Sequence, residues 1–150
     1  MPKIQANGID IEYDCFGNCD AEAVLLISGL GTQMIRWSES FCQILSEQGY
    51  RVIRFDNRDA GLSTHFDNTS MPDLAAIVDA VSRGETPNVP YTLFDMANDA
   101  VGLLDSLMIK RAHVVGRSMG GMIAQLLASE HADRVLSLVS IMSSTGNRDL

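Results

Sequence analysis

No stretch of this sequence approaches the roughly 18 consecutive apolar residues that a membrane-spanning helix requires. The longest apolar runs, around 24–27 and 138–141, are strand-sized. Positive charge is scarce too. Eleven Lys and Arg stand against nineteen Asp and Glu, a formal charge of −8. A surface that acidic repels a phosphate backbone, which argues against general nucleic-acid binding. Cysteine is limited to Cys15, Cys19 and Cys42. An odd, dispersed set fits reduced thiols better than a disulfide framework, and no histidine lies near Cys15 and Cys19 in sequence to complete a metal site. The opening Met1-Pro2-Lys3-Ile4-Gln5 turns polar at once, so no secretory leader is expected and a cytoplasmic location is. Disorder is equally out of keeping with the composition. Apolar types make up 46% and charged types 20% of 150 residues, the balance and length of about one ordinary globular domain.

What is there alternates strand and helix patterns. Asn7-Gly8 is a hairpin turn signal between Lys3–Ala6 and Ile9–Phe16, so the chain is expected to open with an antiparallel pair. A second turn is expected at 17–20. Val24-Leu25-Leu26-Ile27 reads as a strand buried on both faces, followed by the glycine-bearing loop Ser28-Gly29-Leu30-Gly31-Thr32. Residues 38–48, apolar at Phe41, Ile44 and Leu45 and stopped by Gly49, predict a helix. Arg51–Phe55 is the next strand. Residues 62–90 are the least regular part, with a helix expected only over 73–82. The stretch 93–107 reads as a helix with Ala97, Ala100, Val101, Leu104 and Met108 on its apolar face. A strand at 112–115, a helix at 119–129 and a strand at Val135–Ile141 complete the pattern. Strands alternating with helices of about a dozen residues imply an α/β fold: a mostly parallel sheet flanked by helices, with the N-terminal hairpin antiparallel.

Chemistry concentrates at Gly116-Arg117-Ser118-Met119-Gly120. The Gly-x-Ser-x-Gly pentapeptide alone is weak, but it lies between a strand and a helix, where a nucleophile elbow belongs. There the serine takes a strained backbone conformation with its Oγ at the helix N-terminus. Gly116 and Gly120 are then required because side chains would collide. The alternative is a plain strand-to-helix glycine turn. Acyl transfer also needs two donors for a developing oxyanion. The expected pair is the backbone N–H of Met119 and that of Leu30, in the loop after an earlier strand; on the plainer reading the loop glycines only turn the chain.

Three ordered motifs carry a resemblance: Ile27-Ser28-Gly29-Leu30-Gly31, then Phe55-Asp56-Asn57-Arg58-Asp59-Ala60-Gly61-Leu62-Ser63-Thr64, then Arg111-Ala112-His113-Val114-Val115-Gly116-Arg117-Ser118-Met119-Gly120-Gly121-Met122. Ala132-Asp133-Arg134-Val135 fits a fourth. On these residues the chain resembles the N-terminal half of an α/β-hydrolase-fold protein, and is most similar to the aclacinomycin methylesterase group and related small esterases and lactonases. The resemblance implies a serine hydrolase of carboxylic esters or lactones that forms an acyl-enzyme on Ser118 and uses no metal or organic cofactor. Its dehalogenase and epoxide-hydrolase relatives use an aspartate nucleophile, so Ser118 argues against both activities. Where the family usually has His-Gly this chain has Ser28-Gly29, which matters little for a backbone donor.

A serine hydrolase also needs a histidine base and an orienting acid, in the chain order Ser, acid, His in this fold. After Ser118 come only His131 and the acids Glu130, Asp133 and Asp149. His131 ends the helix that Ser118 begins, roughly 20 Å away at 1.5 Å per residue, and is expected as a solvated cap. His113 is expected as a sheet histidine rather than a base, and His65 as a residue that could line a pocket, with a catalytic part the lesser reading. The family's acid and histidine follow later strands, so residues 1–150 are expected to be the first part of one domain, without its last strands and lid, breaking off at Asn147-Arg148-Asp149-Leu150. The isolated chain is then nearly inactive, and its last strand is an apolar edge open to self-association. The rival reading is a non-catalytic module that binds an acyl ligand or a partner chain. Trp37 is weighed between core packing and pocket lining, Arg117 between a surface role and steering of an anionic group. The segment from Asp56 to Ser63 is expected to brace its own turn rather than contact substrate.

Overall fold

Asn7 and Gly8 both take positive φ, 49° and 79°, the pair of left-handed residues that a tight two-residue hairpin needs. They fold β1 (Lys3–Ala6) back on β2 (Ile9–Phe16), with Ala6 opposite Ile9. The computed structural model describes residues 2–67 and 72–146; the expected break at 147–150, Asp149 included, lies outside them. Three further strands form the middle of the sheet: β3 (Ala23–Ile27), β4 (Arg51–Phe55) and β5 (Ala112–Arg117). The last is β6 (Val135–Ile141). Their order is β1-β2-β4-β3-β5-β6. Pairing is parallel from β4 through β6 and antiparallel where β2 meets β1 and β4. The expected architecture is present.

β3 lies at the centre, buried at every position. Its alternating side chains divide between two cores. Leu25 and Ile27 point to the larger one, with Phe55 and Val114 and the helices α3 (Leu93–Ser106) and α4 (Met119–Glu130) over it. Val24 and Leu26 point to a smaller one with Val52, Trp37 and Cys42 of helix α1 (Glu39–Glu47). Each fully buried Leu or Ile contributes about 1.5–3 kcal/mol, so this continuous apolar run is a main source of the sheet's stability. Helix α2 (Leu74–Ser82) buries no residue.

Two helix faces differ from expectation. In α1 the buried residue is Cys42, while Phe41 and Ile44 face outward. The helix phase is set by Trp37, which packs beside Cys42, and by Arg54 of β4, whose guanidinium donates to the Trp37 carbonyl and to Asp14. In α3 the helix ends at Ser106, and Met108 takes a left-handed φ of 56° in the turn after it. Met108 is therefore 91% exposed, and Leu103 occupies the core position instead. All three cysteines are free thiols, and burial pushes that of Cys42 up, keeping it protonated.

Candidate active site

β5 runs two residues further than expected, into the Gly-x-Ser-x-Gly segment, and α4 starts at Met119. Ser118 joins them with φ 56° and ψ −126°, a conformation that costs a non-glycine residue on the order of 1–3 kcal/mol. The crossing is close enough to need both flanking glycines. A Cβ on Gly116 would overlap the Gly120 carbonyl and stand 2.6 Å from the Gly121 nitrogen; one on Gly120 would overlap the Ile27 carbonyl and stand 2.6 Å from that of Ser28. The Ser118 N–H donates to the Ile141 carbonyl at 2.9 Å, tying the turn to the end of β6.

The loop after β3 reaches the same point. A Cβ placed on Gly29 would lie 3.2 Å from Ser118 Cβ and 3.7 Å from its Oγ. Thr32 folds this loop back, its N–H and hydroxyl both donating to the Gly29 carbonyl at 3.3 and 2.8 Å. Met119, as the first residue of α4, has no acceptor for its N–H within the helix. Neither that N–H nor that of Leu30 donates a hydrogen bond among the described residues. The structure thus brings Ser118, Gly29-Leu30 and Met119 together, with the serine hydroxyl exposed at a helix N-terminus, where a negative charge is favoured.

A model of the alpha/beta hydrolase fold matches residues 22–149. The chain belongs to the α/β-hydrolase fold family. Among curated members it is 36% identical over 131 residues to the protein named "Putative carbamate hydrolase RutD" of Variovorax paradoxus (strain S110), covering 87% of this chain and 41% of that one. It is 33% identical over 119 residues to rhodomycin D methylesterase DauP of Streptomyces sp. (strain C5), covering 79% and 34%. Among solved structures, the enol-lactonase from Burkholderia xenovorans LB400 superposes with a TM-score of 0.68 at 32% identity, covering 89% of this chain and 44% of that one. The chain spans less than half the length of these relatives.

In this α/β-hydrolase chain the three histidines are engaged away from Ser118. His65 Nε2 meets the Gly61 carbonyl, His113 meets Ser137 and Glu22, and His131, at the end of α4, meets Asn98. No group of three His, Cys, Asp or Glu side chains able to hold a metal ion occurs among the described residues. Trp37 is buried in the smaller core, and the Arg117 guanidinium lies 5.4 Å over its ring. Both residues pack together on that side of the sheet and are not among those lining the cleft beside Leu30 and Met119.

That cleft, about 330 Å³, is walled by Leu30, Met119, Leu93 and Met96 and by Arg58, Asp59 and Tyr91. Its charged groups are already engaged, Asp59 by the Phe66 N–H at 2.7 Å and the Tyr91 phenol. Arg58 donates to both Asp99 oxygens, at 2.6 and 2.7 Å, and lies 5.0 Å over the Tyr91 ring. Burial works against the Arg58 charge, yet its bonds to Asp99 carry its pKa above the usual guanidinium value. Asp99 stands out in the sequence only as an acid beside the apolar face of a helix, a position that signals a cationic partner. Breaking a buried pair leaves an uncompensated charge, so Asp99→Asn is expected to lose about 3–5 kcal/mol in urea unfolding. A loss under 1 kcal/mol would show the pair to be dispensable.

Burial and a hydrogen bond to Asp59 push the Tyr91 phenol up to about 12 from 10.0. Because the folded value is the higher one, the stabilisation is complete below pH 10 and is lost as pH rises through about 12. Absorbance titration of the phenolates is expected to show one late-ionising tyrosine, and Tyr91→Phe to remove it. Retention of that late transition in Tyr91→Phe would place it elsewhere.

Proposed function

We propose that residues 1–150 carry the nucleophile and oxyanion donors of a serine hydrolase that acts on small carboxylic esters or lactones through an acyl-enzyme. The observation that supports this most is the strained Ser118, whose hydroxyl faces a loop and a helix start with unused N–H groups. Ser118 Oγ attacks the carbonyl carbon, and the Leu30 and Met119 N–H groups receive the developing oxyanion. Leaving-group expulsion then gives the acyl-enzyme, which water cleaves. The histidine that takes the serine proton, and the acid that orients it, come from residues outside 1–150, so the isolated chain is nearly inactive. A cleft walled by Leu30, Leu93, Met96 and Met119, with the Arg58 charge taken up by Asp99, suits an uncharged acyl or alkyl group. The names of the relatives, a methylesterase and an enol-lactonase, point to the same substrate class. We place the enzyme in the cytoplasm, in keeping with its free thiols.

The test is a stopped-flow burst with p-nitrophenyl acetate on the full-length protein. One p-nitrophenolate per Ser118 is expected, and none from Ser118→Ala. A burst that survives the substitution, or turnover by residues 1–150 alone at the full-length rate, would refute the assignment. One observation favours a second reading: Leu138, Val139 and Ile141 on edge strand β6 remain 39%, 45% and 36% exposed. A self-associating, non-catalytic module would show concentration-dependent dimers and no burst.

A further inference from the structure

We infer that Asp56 and Asn57, adjacent residues at the end of β4, are positioning residues that grip the two ends of loop 28–34 and so set where the Leu30 N–H points; the inference rests on the oxyanion role proposed above. The first grip is on Ser28, whose carbonyl accepts from Asn57 Nδ2 at 2.9 Å. The Ser28 hydroxyl is itself buried without a partner, so among the described residues no side-chain bond of its own holds this end. The second grip is on Met34, whose N–H donates to Asp56 Oδ1 at 2.7 Å. Between these points the loop is neither helix nor strand, and its internal bonds are those of Thr32 to Gly29.

The two grips are themselves fixed. Asp56 Oδ2 accepts from the Leu62 N–H at 3.0 Å, and its carbonyl accepts from Ser63 Oγ at 2.6 Å. Ser63 Oγ in turn accepts from the Glu12 N–H of β2 at 3.0 Å. The Asp56 carboxylate also fills the space beside Gly61, where a Cβ would overlap it. Both residues are buried, and the bonds from N–H groups to a carboxylate are of the stronger, charge-assisted kind. The motif expected to brace its own turn therefore does so and also carries that rigidity across to the loop facing Ser118. An error of about 1 Å in such a donor is enough for a rate loss near 100-fold, which is why the grip bears on chemistry as well as stability.

The experiment compares Asn57→Ala and the volume-retaining Asn57→Leu in the full-length enzyme, with amide hydrogen exchange of residues 28–34 and 119–130 read alongside steady-state kinetics. An enzyme in which the Leu30 N–H is replaced by an ester oxygen serves as the control on the oxyanion role. Exchange in 28–34 is expected to quicken at least about tenfold while that in 119–130 holds. kcat should fall about 10–100-fold with KM nearly unchanged. Unchanged exchange and kcat in both Asn57 variants, alongside a kcat loss in the Leu30 ester, would overturn the inference and leave the oxyanion role standing. An unimpaired Leu30 ester would overturn the role itself and, with it, the catalytic part of the inference; exchange would still report whether the grip exists.

Discussion

Ester turnover by the full-length enzyme is expected to fall by about 10⁴–10⁶-fold in Ser118→Ala, while Ser118→Gly is expected to be as inactive and yet more stable than the parent. The activity loss follows from removing the atom that forms the covalent bond; what remains comes from oxyanion donors and binding alone. The stability gain has a separate origin. At φ 56° and ψ −126° any β-carbon is strained, and glycine relieves about 1–3 kcal/mol of that. Its greater freedom in the unfolded chain costs back about 0.5–1 kcal/mol. The net gain is about 1 kcal/mol, a rise of about 2–4 °C in Tm for a domain of this size, readable by calorimetry. A glycine variant that melts well below the parent would show that Ser118 is not strained.

The second large effect concerns folding itself. Gly120→Ala is expected to destabilise the chain severely, because the added methyl overlaps the Ile27 carbonyl and crowds that of Ser28. Both belong to the backbone at the end of buried β3, so relief requires α4 to move off the sheet. Overpacking usually costs about 1–3 kcal/mol, but a clash with fixed backbone belongs with the exceptional losses above about 4 kcal/mol, a large part of the total of about 5–15 kcal/mol available to a domain. Urea denaturation followed by circular dichroism measures it. A variant within 1 kcal/mol of the parent would mean that the crossing of α4 over β3 is looser than described.

Local chemistry made much of this legible in advance. Asn7-Gly8 announced its hairpin and Val24-Leu25-Leu26-Ile27 its burial, and Gly116 and Gly120 framed Ser118, because turn geometry and strand burial are written in neighbouring residues. The misreadings involve distant partners. Phe41 and Ile44 look like the inner stripe of a helix, but the phase of α1 is decided by Trp37 and Arg54, and hence by Asp14 on another strand. Met108 fits the spacing of α3 yet falls just past its end. The cleft wall was unreadable because Arg58 and Tyr91 meet only when the loop after β4 closes on α3. The roles of Ser118, Leu30 and Met119 rest on the proposal and its tests.

The hydrogen bond from the Ser118 amide to Ile141 gives the turn a calendar. Strand β5 and the start of α4 are synthesised first, but the acceptor that holds the serine amide lies at the far end of β6. Chains grow at about 5–20 residues per second, so a nascent chain spends an interval with β5 and its serine complete and their outer neighbour still unmade. During that interval the elbow lacks one of its anchors. The full anchoring of that turn is therefore a late acquisition of the growing polypeptide, postponed until β6 has come alongside.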